Sequence, residues 1–382
     1  MIPRILATEL IALAGQYPVL TILGPRQSGK TTLAKMAFPA YSYVNLENPE
    51  SRIMAVDDPK AFFRLNPPPL ILDEIQRTPQ LCSWIQVIVD ESGRKGDFIL
   101  TGSSQFGLRS AIAQSLAGRN ALTELYPLTI SELAAAGIQL ERDQFLVSGF
   151  FPRIHADRQE ATRAYRNYIQ TYIERDLRNS LNIKNLPAFE RFLGLLAGRI
   201  GQLINLNSLA SDTGVSSTTL AEWLSVLEAS FIVYRLKPYF ENFGKRLVKT
   251  PKLYFTDVGL ASSLLGIRTA EAAARDPLLG NLFENLVVME AVKQASNRGE
   301  APALYFYRDQ NGREVDLIIE RDRKLIPVEI KASSTWNPEF AKNLRWFQTL
   351  SPRAECGMVI YGGENRIESD KYRAFPFQEA TF

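Results

Sequence analysis

Residues 24–32 form a glycine-rich segment that joins an apolar stretch to a helix-forming one. They read G-P-R-Q-S-G-K-T-T, which matches the spacing G-x-x-x-x-G-K-[ST]. Residues 18–23 are apolar and β-branched, as expected of a buried parallel strand, and residues 32–37 suit a helix. In this setting glycines let backbone N–H groups wrap around phosphates, and the helix N-terminus adds a favourable dipole. The segment therefore predicts a phosphate-binding loop.

This loop predicts ATP and Mg²⁺ as cofactors. Lys30 is expected to reach the β- and γ-phosphates, and the Thr31 hydroxyl is expected to hold Mg²⁺. The predicted nucleotide-binding residues are Gly24, Pro25, Arg26, Gln27, Ser28, Gly29, Lys30, Thr31 and Thr32.

The composition argues against several other classes of protein. The chain has 382 residues, enough for two or three domains, and its net charge of +3 limits any nucleic-acid surface to a local patch. The single histidine, His155, argues against a histidine-based triad, and the two distant cysteines argue against a disulfide framework or zinc site. Without an 18-residue apolar run or a signal-peptide core, the sequence predicts a cytoplasmic protein with no membrane partner.

A second strand-like segment, residues 70–74, ends in two carboxylates. It reads L-I-L-D-E, which is typical of the Walker B pattern. Asp73 is predicted to bind Mg²⁺, directly or through water, and Glu74 to polarise the attacking water as a general base. A third strand, residues 97–101, precedes polar side chains predicted to contact the γ-phosphate or its water. The candidates are Thr101, at the end of the strand, Ser103 or Ser104, and a simple Gly-Ser turn is the alternative.

The order of these segments predicts an α/β fold with a parallel sheet of the P-loop NTPase type. Residues 43–46 indicate one further strand. Arg119 is a candidate for stabilising charge on the transferred phosphoryl group, either within the chain or from a neighbouring subunit, so a homo-oligomer is one candidate assembly. The alternative is an ordinary surface arginine. The predicted catalytic residues are thus Glu74, Lys30 and Arg119.

These motifs resemble those of a family of bacterial and archaeal AAA+-like ATPases. The resemblance rests on residues 24–32, 72–77 (L-D-E-I-Q-R), 100–104 (L-T-G-S-S) and 115–119 (S-L-A-G-R). Residues 172–177 and 243–246 also resemble that family, in which the ATPase is followed by a region called DUF4143. The resemblance covers nearly the whole chain and implies its architecture and nucleotide binding more than a biological role.

The middle of the chain is predicted to be helical, with a winged-helix portion in residues 205–240. A helix, a turn at Gly214, a second helix and a strand resemble a winged helix-turn-helix. The second helix exposes no Lys or Arg, which disfavours base reading. Segment 235–252 is basic and aromatic, which suits contact with a DNA backbone; packing or partner docking is the alternative. Its basic residues are Arg235, Lys237, Lys245, Arg246, Lys249 and Lys252.

The last part of the chain contains a second set of candidate catalytic residues. Asp316 lies in one strand-like segment, and Glu329 and Lys331 share one face of the next. A hairpin would join these acids and the ammonium group, as Mg²⁺-dependent phosphodiester cleavage requires. The pattern resembles the PD-(D/E)XK nuclease superfamily, and that resemblance implies a further acid, Glu284, from a helix. Arg308 is a candidate phosphate contact, and such a fold can also bind nucleic acid without cutting it.

The predictions combine into three parts. Residues 1–125 form an AAA+-like ATPase, residues 126–255 a helical linker and winged helix, and residues 256–382 a PD-(D/E)XK-like α/β domain. The expected activity is binding and hydrolysis of Mg-ATP, coupled to a C-terminal region that binds DNA or a partner. The alternatives are an ATP-gated metal-dependent DNA nuclease and a nucleotide-binding switch without turnover.

Overall fold

The computed structural model describes residues 2–103, 108–171, 183, 185–240 and 248–382. The chain divides into two units. The first comprises Met1–Leu128, Ala229–Ile232 and Ala295–Glu300, and the second comprises Thr129–Glu228, Val233–Gln294 and Ala301–Phe382. The division into 1–125, 126–255 and 256–382 remains a prediction. Residues 172–177 and 243–246, which contributed to the family resemblance, lie outside the described residues.

The first unit contains a parallel five-stranded sheet, which confirms the predicted α/β class. Its strands are β1 (Val19–Leu23), β2 (Ser42–Asn45), β3 (Leu70–Asp73), β4 (Phe98–Gly102) and β5 (Asn120–Glu124). The spatial order is β2-β3-β4-β1-β5, and every pairing is parallel. Strands β1, β3 and β4 are buried at every residue, as expected of central strands covered on both faces.

Helices surround this sheet and cover its apolar faces. They are α1 (Leu6–Ala14), α2 (Lys30–Ala37), α3 (Pro49–Asp57), α4 (Pro59–Leu65), α5 (Leu81–Ser92) and α6 (Leu108–Ser115). Helix α3 begins where the Asn48 side chain accepts hydrogen bonds from the amides of Glu50 and Ser51, with Pro49 in the first turn. Leu6 and Leu10 of α1 pack with Leu33 of α2 in one core cluster, so α1 braces the helix that follows the glycine-rich loop.

The other described α-helices lie wholly or mainly in the second unit. They are α7 (Ile130–Ala135), α8 (Arg142–Ser148), α9 (Pro152–Ala156), α10 (Ala161–Tyr168), α11 (Leu186–Ala197), α12 (Leu206–Thr213), α13 (Ser217–Ala229), α14 (Val258–Leu264), α15 (Ala270–Arg275), α16 (Leu279–Asn297) and α17 (Lys342–Leu350). Helices α12 and α13 are joined at Gly214, which adopts a left-handed conformation (φ 71°) that favours glycine. The predicted helix, glycine turn and helix of this region are therefore present.

The second unit also contains a mixed sheet. Its strands are β6 (Val233–Pro238), β7 (Lys252–Phe255), β8 (Leu304–Arg308), β9 (Glu314–Arg321), β10 (Lys324–Lys331), β11 (Gly357–Tyr361), β12 (Ile367–Glu368) and β13 (Tyr372–Pro376), in the spatial order β12-β13-β11-β10-β9-β8-β6-β7. Strands β8, β9 and β10 are antiparallel neighbours, whereas β11 runs parallel to β10. Helix α17 packs Leu344 and Phe347 into the same core cluster as Val315 and Leu325. None of the helices in the described part of the chain is long and apolar enough to cross a membrane.

The only histidine of the chain gives a direct test of packing in the second unit. Burial lowers the pKa of His155 below its ordinary value of 6.5, although the contact of Nε2 with the Gly149 carbonyl oxygen (2.8 Å) raises it. Just below pH 6.5 the unfolded chain therefore binds more protons at His155 than the folded chain does. The free energy of unfolding consequently decreases as the pH falls from 6.5 through the folded-state pKa. We expect the single imidazole NMR resonance to titrate below 6.5. A midpoint at or above the value measured in urea would contradict this packing.

Candidate functional site

The carboxyl ends of three neighbouring strands meet at one edge of the parallel sheet. The glycine-rich loop follows β1, Asp73 and Glu74 end β3, and Ser103 follows β4. Because β4 pairs with both β1 and β3, the residues that follow these strands lie close together. Separate sequence motifs thus converge on a single site.

Two glycines allow the loop to take its shape. A Cβ atom at Gly24 would lie 2.1 Å from the Leu125 carbonyl oxygen, so only glycine fits where the loop leaves β1. Gly29 has a φ of 93°, a conformation that L side chains rarely adopt, immediately before α2 begins at Lys30. The hydroxyl Oγ of Ser28 is buried and has no hydrogen-bond partner among the described residues. These features suit a loop built to surround an external group with backbone amides.

Lys30 is held inside this loop by its own backbone. Its Nζ donates to the carbonyl oxygens of Gly24 (3.0 Å) and Pro25 (2.8 Å), and the residue is buried. Burial lowers the pKa of Lys30 to about 8, although the carboxylates of Glu74 and Asp73 raise it. A buried ammonium group whose hydrogen-bond partners are neutral carbonyl oxygens gains when an anion arrives, so this lysine is arranged to bind phosphate.

Asp73 is fixed by three hydroxyl groups. Thr31 Oγ1 donates to its two carboxylate oxygens at 2.9 and 3.0 Å, Tyr43 donates to Oδ2 at 2.8 Å, and Thr101 donates to Oδ1. The Thr31–Asp73 pair brings together a hydroxyl and a carboxylate, the oxygen ligands that Mg²⁺ prefers. Tyr43 was absent from the sequence-based site, and Thr101 contacts Asp73 here.

Glu74 is oriented by a second set of polar groups. The residue has a left-handed backbone conformation (φ 59°), which directs the chain away from β3. Its Oε2 accepts hydrogen bonds from Ser103 Oγ (3.1 Å) and from the side-chain Nε2 of Gln76. The same Nε2 also donates to Ser103 Oγ (3.1 Å). Ser103 therefore contacts the candidate base, whereas Ser104 lies outside the described residues.

Arg4 braces the back of the loop. Its guanidinium donates to the carbonyl oxygens of Ser28 and Tyr126, both at 2.7 Å. It thereby ties the loop to the segment that follows β5. This arginine lies before α1 and far from the loop in sequence, so no motif identified it.

The structure corrects one of the two roles proposed for Arg119. The residue immediately precedes β5, and its carbonyl oxygen accepts a hydrogen bond from Val19 at the start of β1. It therefore lies at the amino edge of the sheet, roughly 13 Å from the phosphate loop at the other edge. Its guanidinium pairs with Asp90 (2.5 Å). Arg119 cannot act on a nucleotide in its own chain, and only action on a neighbouring subunit remains as a proposal.

The second unit brings together the predicted nuclease residues. Strands β9 and β10 pair Val328 with Leu317, so Glu329 stands opposite Asp316 on the same face. Lys331 Nζ lies 3.1 Å from Asp316 Oδ2 and 2.5 Å from Glu329 Oε2. Burial and the Asp316 charge raise the pKa of Glu329 to about 8. Glu329 Oε1 is buried without a hydrogen-bond partner among the described residues.

Glu284 of α16 completes this acidic cluster together with Glu314 and Tyr254, neither of which the sequence analysis assigned to a site. Ligand oxygens of Glu284, Glu314 and Asp316 lie within 4.8 Å of one another. Lys252 Nζ contacts Glu284 Oε1 at 2.8 Å and also pairs with Glu314, while the Tyr254 hydroxyl donates to Glu284 at 2.6 Å. Burial raises the pKa of Glu284, and the Lys252 ammonium opposes that shift.

Comparison with known proteins places this architecture in a family. The chain is 34% identical to Uncharacterized protein Rv2008c of Mycobacterium tuberculosis over 367 residues, which cover 94% of this chain and 80% of that protein. The chain belongs to the same family as Rv2008c. Residues 16–134 match the AAA domain, residues 139–271 match DUF8612, and residues 279–380 match DUF4143. The family's AAA domain and DUF4143 confirm the resemblance seen in the sequence.

Two more distant similarities were also found. Uncharacterized protein MJ1544 of Methanocaldococcus jannaschii is 23% identical over 350 residues, which cover 83% of this chain and 76% of that protein. Among solved structures, the Walker-type ATPase PABY2304 of Pyrococcus abyssi is similar with a TM-score of 0.44 and 14% identity. That match covers 68% of this chain and 94% of the other.

The basic segment of this family member is only partly a surface patch. Lys237 and Lys249 are exposed, whereas Arg235 pairs with Glu228. Lys252 is buried in the acidic cluster, so its inclusion in a DNA-binding surface is wrong. Lys245 and Arg246 lie outside the described residues. The alternation of side chains along β7 turns Lys252 inward, which a count of basic residues does not detect.

Proposed function

We propose that this AAA-domain protein binds Mg-ATP and hydrolyses it at the carboxyl edge of its parallel sheet. One observation carries the proposal: the Thr31 hydroxyl contacts Asp73 directly, beside the buried ammonium group of Lys30. These side chains come from separate motifs, and together they offer a phosphate-binding cation and the oxygen ligands of Mg²⁺.

The loop and Lys30 bind the triphosphate in this proposal. Backbone N–H groups of the loop, except at Pro25, which has none, and of the start of α2 contact phosphate oxygens. Lys30 exchanges its two carbonyl partners for the β- and γ-phosphates. Bound Mg²⁺ would neutralise charge on these phosphates, and Thr31 and Asp73 would hold it. Tyr43 and Thr101 keep the Asp73 carboxylate aimed at that position.

Glu74 acts as the general base. Its carboxylate takes a proton from the attacking water, while the hydrogen bonds from Ser103 and Gln76 orient it. The test is phosphate release from Mg-ATP by the purified chain, with and without DNA, and with EDTA as the blank. Binding of labelled ATP without any phosphate release in either condition would favour the alternative of a non-hydrolysing switch.

The nucleotide state is proposed to control binding of DNA or a partner by the C-terminal region. The exposed side chains of Lys237 and Lys249 support contact with the phosphate backbone of DNA near β6 and β7. The helix-turn-helix of α12 and α13, followed by the β6–β7 pair, supports the winged-helix interpretation of this region. A homo-oligomer would give Arg119 a phosphate to contact on a neighbouring subunit.

A second candidate function is metal-dependent cleavage of DNA by the acidic cluster. It is favoured by the side-by-side Asp316 and Glu329 carboxylates, with Lys331 bound to both. The element order α16-β8-β9-β10-α17-β11, with β11 parallel to β10, supports the resemblance to the PD-(D/E)XK superfamily. The buried, unpartnered Glu329 Oε1 suits a divalent cation.

Replacing Asp316 tests this second function. We expect Asp316→Ala to lower Mn²⁺-dependent nicking of plasmid DNA by about 100-fold or more, because a metal ligand worth several kcal/mol in the transition state is lost. The exposed Asp370→Ala variant is the control and should cut like the wild type. Intact plasmid after long incubation of the wild type with Mg²⁺ or Mn²⁺, with and without ATP, would contradict the nuclease assignment.

A further inference from the structure

A buried lysine lies inside the acidic cluster of the second unit. The Lys252 side chain is only 3% exposed, and its Nζ contacts the carboxylates of Glu284 and Glu314. The next basic residue before it, Lys249, is exposed. A lysine is buried at a large desolvation cost, which only close carboxylates offset, so Lys252 belongs to the cluster itself.

The charges of the cluster nearly balance without any added ion. Three carboxylates that share one small volume face three cationic groups, and each acid contacts at least one of them. The pairs are Glu284 with Lys252, Glu314 with Lys252 and Arg308, and Asp316 with Lys331. Glu329 is the fourth acid, and only its Oε2 contacts a cation, Lys331.

The two halves of the cluster therefore differ. The half formed by Glu284 and Glu314 already holds the Lys252 ammonium, and Tyr254 satisfies Glu284 further. The half formed by Asp316 and Glu329 contacts the ammonium group of Lys331, but that side chain is 31% exposed and can move aside, unlike Lys252. This half also contains a buried carboxylate oxygen, Glu329 Oε1, that makes no hydrogen bond with the described residues. A buried oxygen of this kind requires a partner from outside the chain.

We propose that the Lys252 ammonium takes the place of one divalent cation, so that the chain binds a single divalent ion, between Asp316 and Glu329. The oxygen ligands fit a hard ion such as Mg²⁺ or Mn²⁺. The three carboxylates of Glu284, Glu314 and Asp316 are close enough to hold a second ion, but Lys252 fills that position with a fixed charge. This inference rests on the metal site of the second candidate function, but ion binding without any ATP hydrolysis or DNA cleavage would leave it intact.

The number of bound Mn²⁺ ions tests the proposal. Free Mn²⁺ is followed by its electron paramagnetic resonance signal in a titration of the full chain without nucleotide or DNA. The wild type is expected to bind one ion that Asp316→Asn abolishes. Lys252→Met is expected to bind one ion more than the wild type, and Lys249→Met, the exposed control on the same segment, to match the wild type. Any ion at the phosphate loop contributes equally to all four proteins.

Stability supplies a second measurement, because Lys252→Met leaves buried carboxylates without their cation. Its melting temperature should be low in EDTA and should rise more with Mn²⁺ than that of the wild type. Lys252→Arg keeps the charge and should bind one ion in the cluster. An equal ion count in Lys252→Met and wild type would overturn the role of Lys252. Should Lys252→Met fail to fold, the difference in ion count between the wild type and Asp316→Asn still decides: a difference of one ion supports the proposal, and a difference of none or two overturns it.

Discussion

Lys30→Ala is expected to remove ATP binding and turnover together. The ammonium group is buried and its present partners are two neutral carbonyl oxygens, so its strongest interactions form only when phosphates are present. Truncating one member of a buried, hydrogen-bonded charge pair costs about 2–5 kcal/mol, which corresponds to a loss of affinity of at least about 30-fold. Labelled ATP in a filter-binding or equilibrium-dialysis assay at millimolar Mg²⁺ measures this loss.

The fold should survive the substitution. Burial, and to a smaller extent the Arg26 charge, lower the pKa of Lys30, so holding the charged ammonium group there does not stabilise the folded chain. Circular dichroism should therefore give a melting temperature close to that of the wild type. Lys95→Ala, at an exposed lysine before β4, is the control and should bind ATP normally. Retention of wild-type ATP affinity by a folded Lys30→Ala protein would refute the assignment of the phosphate loop.

The candidate nucleotide site could be predicted where the residues that form it are adjacent in the sequence. The loop that ends in Lys30 and Thr31 is encoded in nine adjacent residues, and its flanking strand and helix have distinct patterns. Asp73 and Glu74 were predictable because apolar residues mark the strand that they end. Parallel pairing then brings the strand ends together, which follows from general rules of α/β sheets.

The residues that support the site were not predictable, because they depend on tertiary pairing. Tyr43 reaches Asp73 only because β2 lies beside β3, with Tyr43 opposite Ile71. Arg4 reaches the loop from before α1, and Gln76 reaches Glu74 through a short 3-10 helix. None of these contacts leaves a spacing signature in the sequence.

Two predictions failed for reasons that the sequence partly contained. Arg119 ends the segment S-L-A-G-R, but a residue just before a parallel strand lies at the amino edge of the sheet, which excludes its action on the phosphates of its own chain. Lys252 was grouped with its basic neighbours, yet it shares one face of a short, fully buried strand with Tyr254. For both residues the position relative to a strand determines the surroundings of the side chain, whereas the composition of the neighbouring sequence does not.

Glu74→Gln is expected to separate binding from hydrolysis. Glutamine has the shape of glutamate and can still accept the hydrogen bonds from Ser103 and Gln76, so the geometry of the site should persist. An amide cannot accept the proton of the attacking water, and loss of a general base typically lowers the rate about 10²- to 10⁴-fold. ATP affinity should stay within about twofold of the wild type, because Lys30 and the loop amides are unchanged.

The pair of measurements distinguishes a base from a binding residue. If Glu74 mainly helped to hold Mg²⁺, Glu74→Gln would weaken Mg-ATP binding and slow turnover together, as Lys30→Ala does. Glu91→Gln, an exposed carboxylate at the end of α5, is the control and should leave both quantities unchanged. Hydrolysis at the wild-type rate by Glu74→Gln would rule out Glu74 as the base. Ser103, which follows β4 at the same sheet edge, would then be the next candidate.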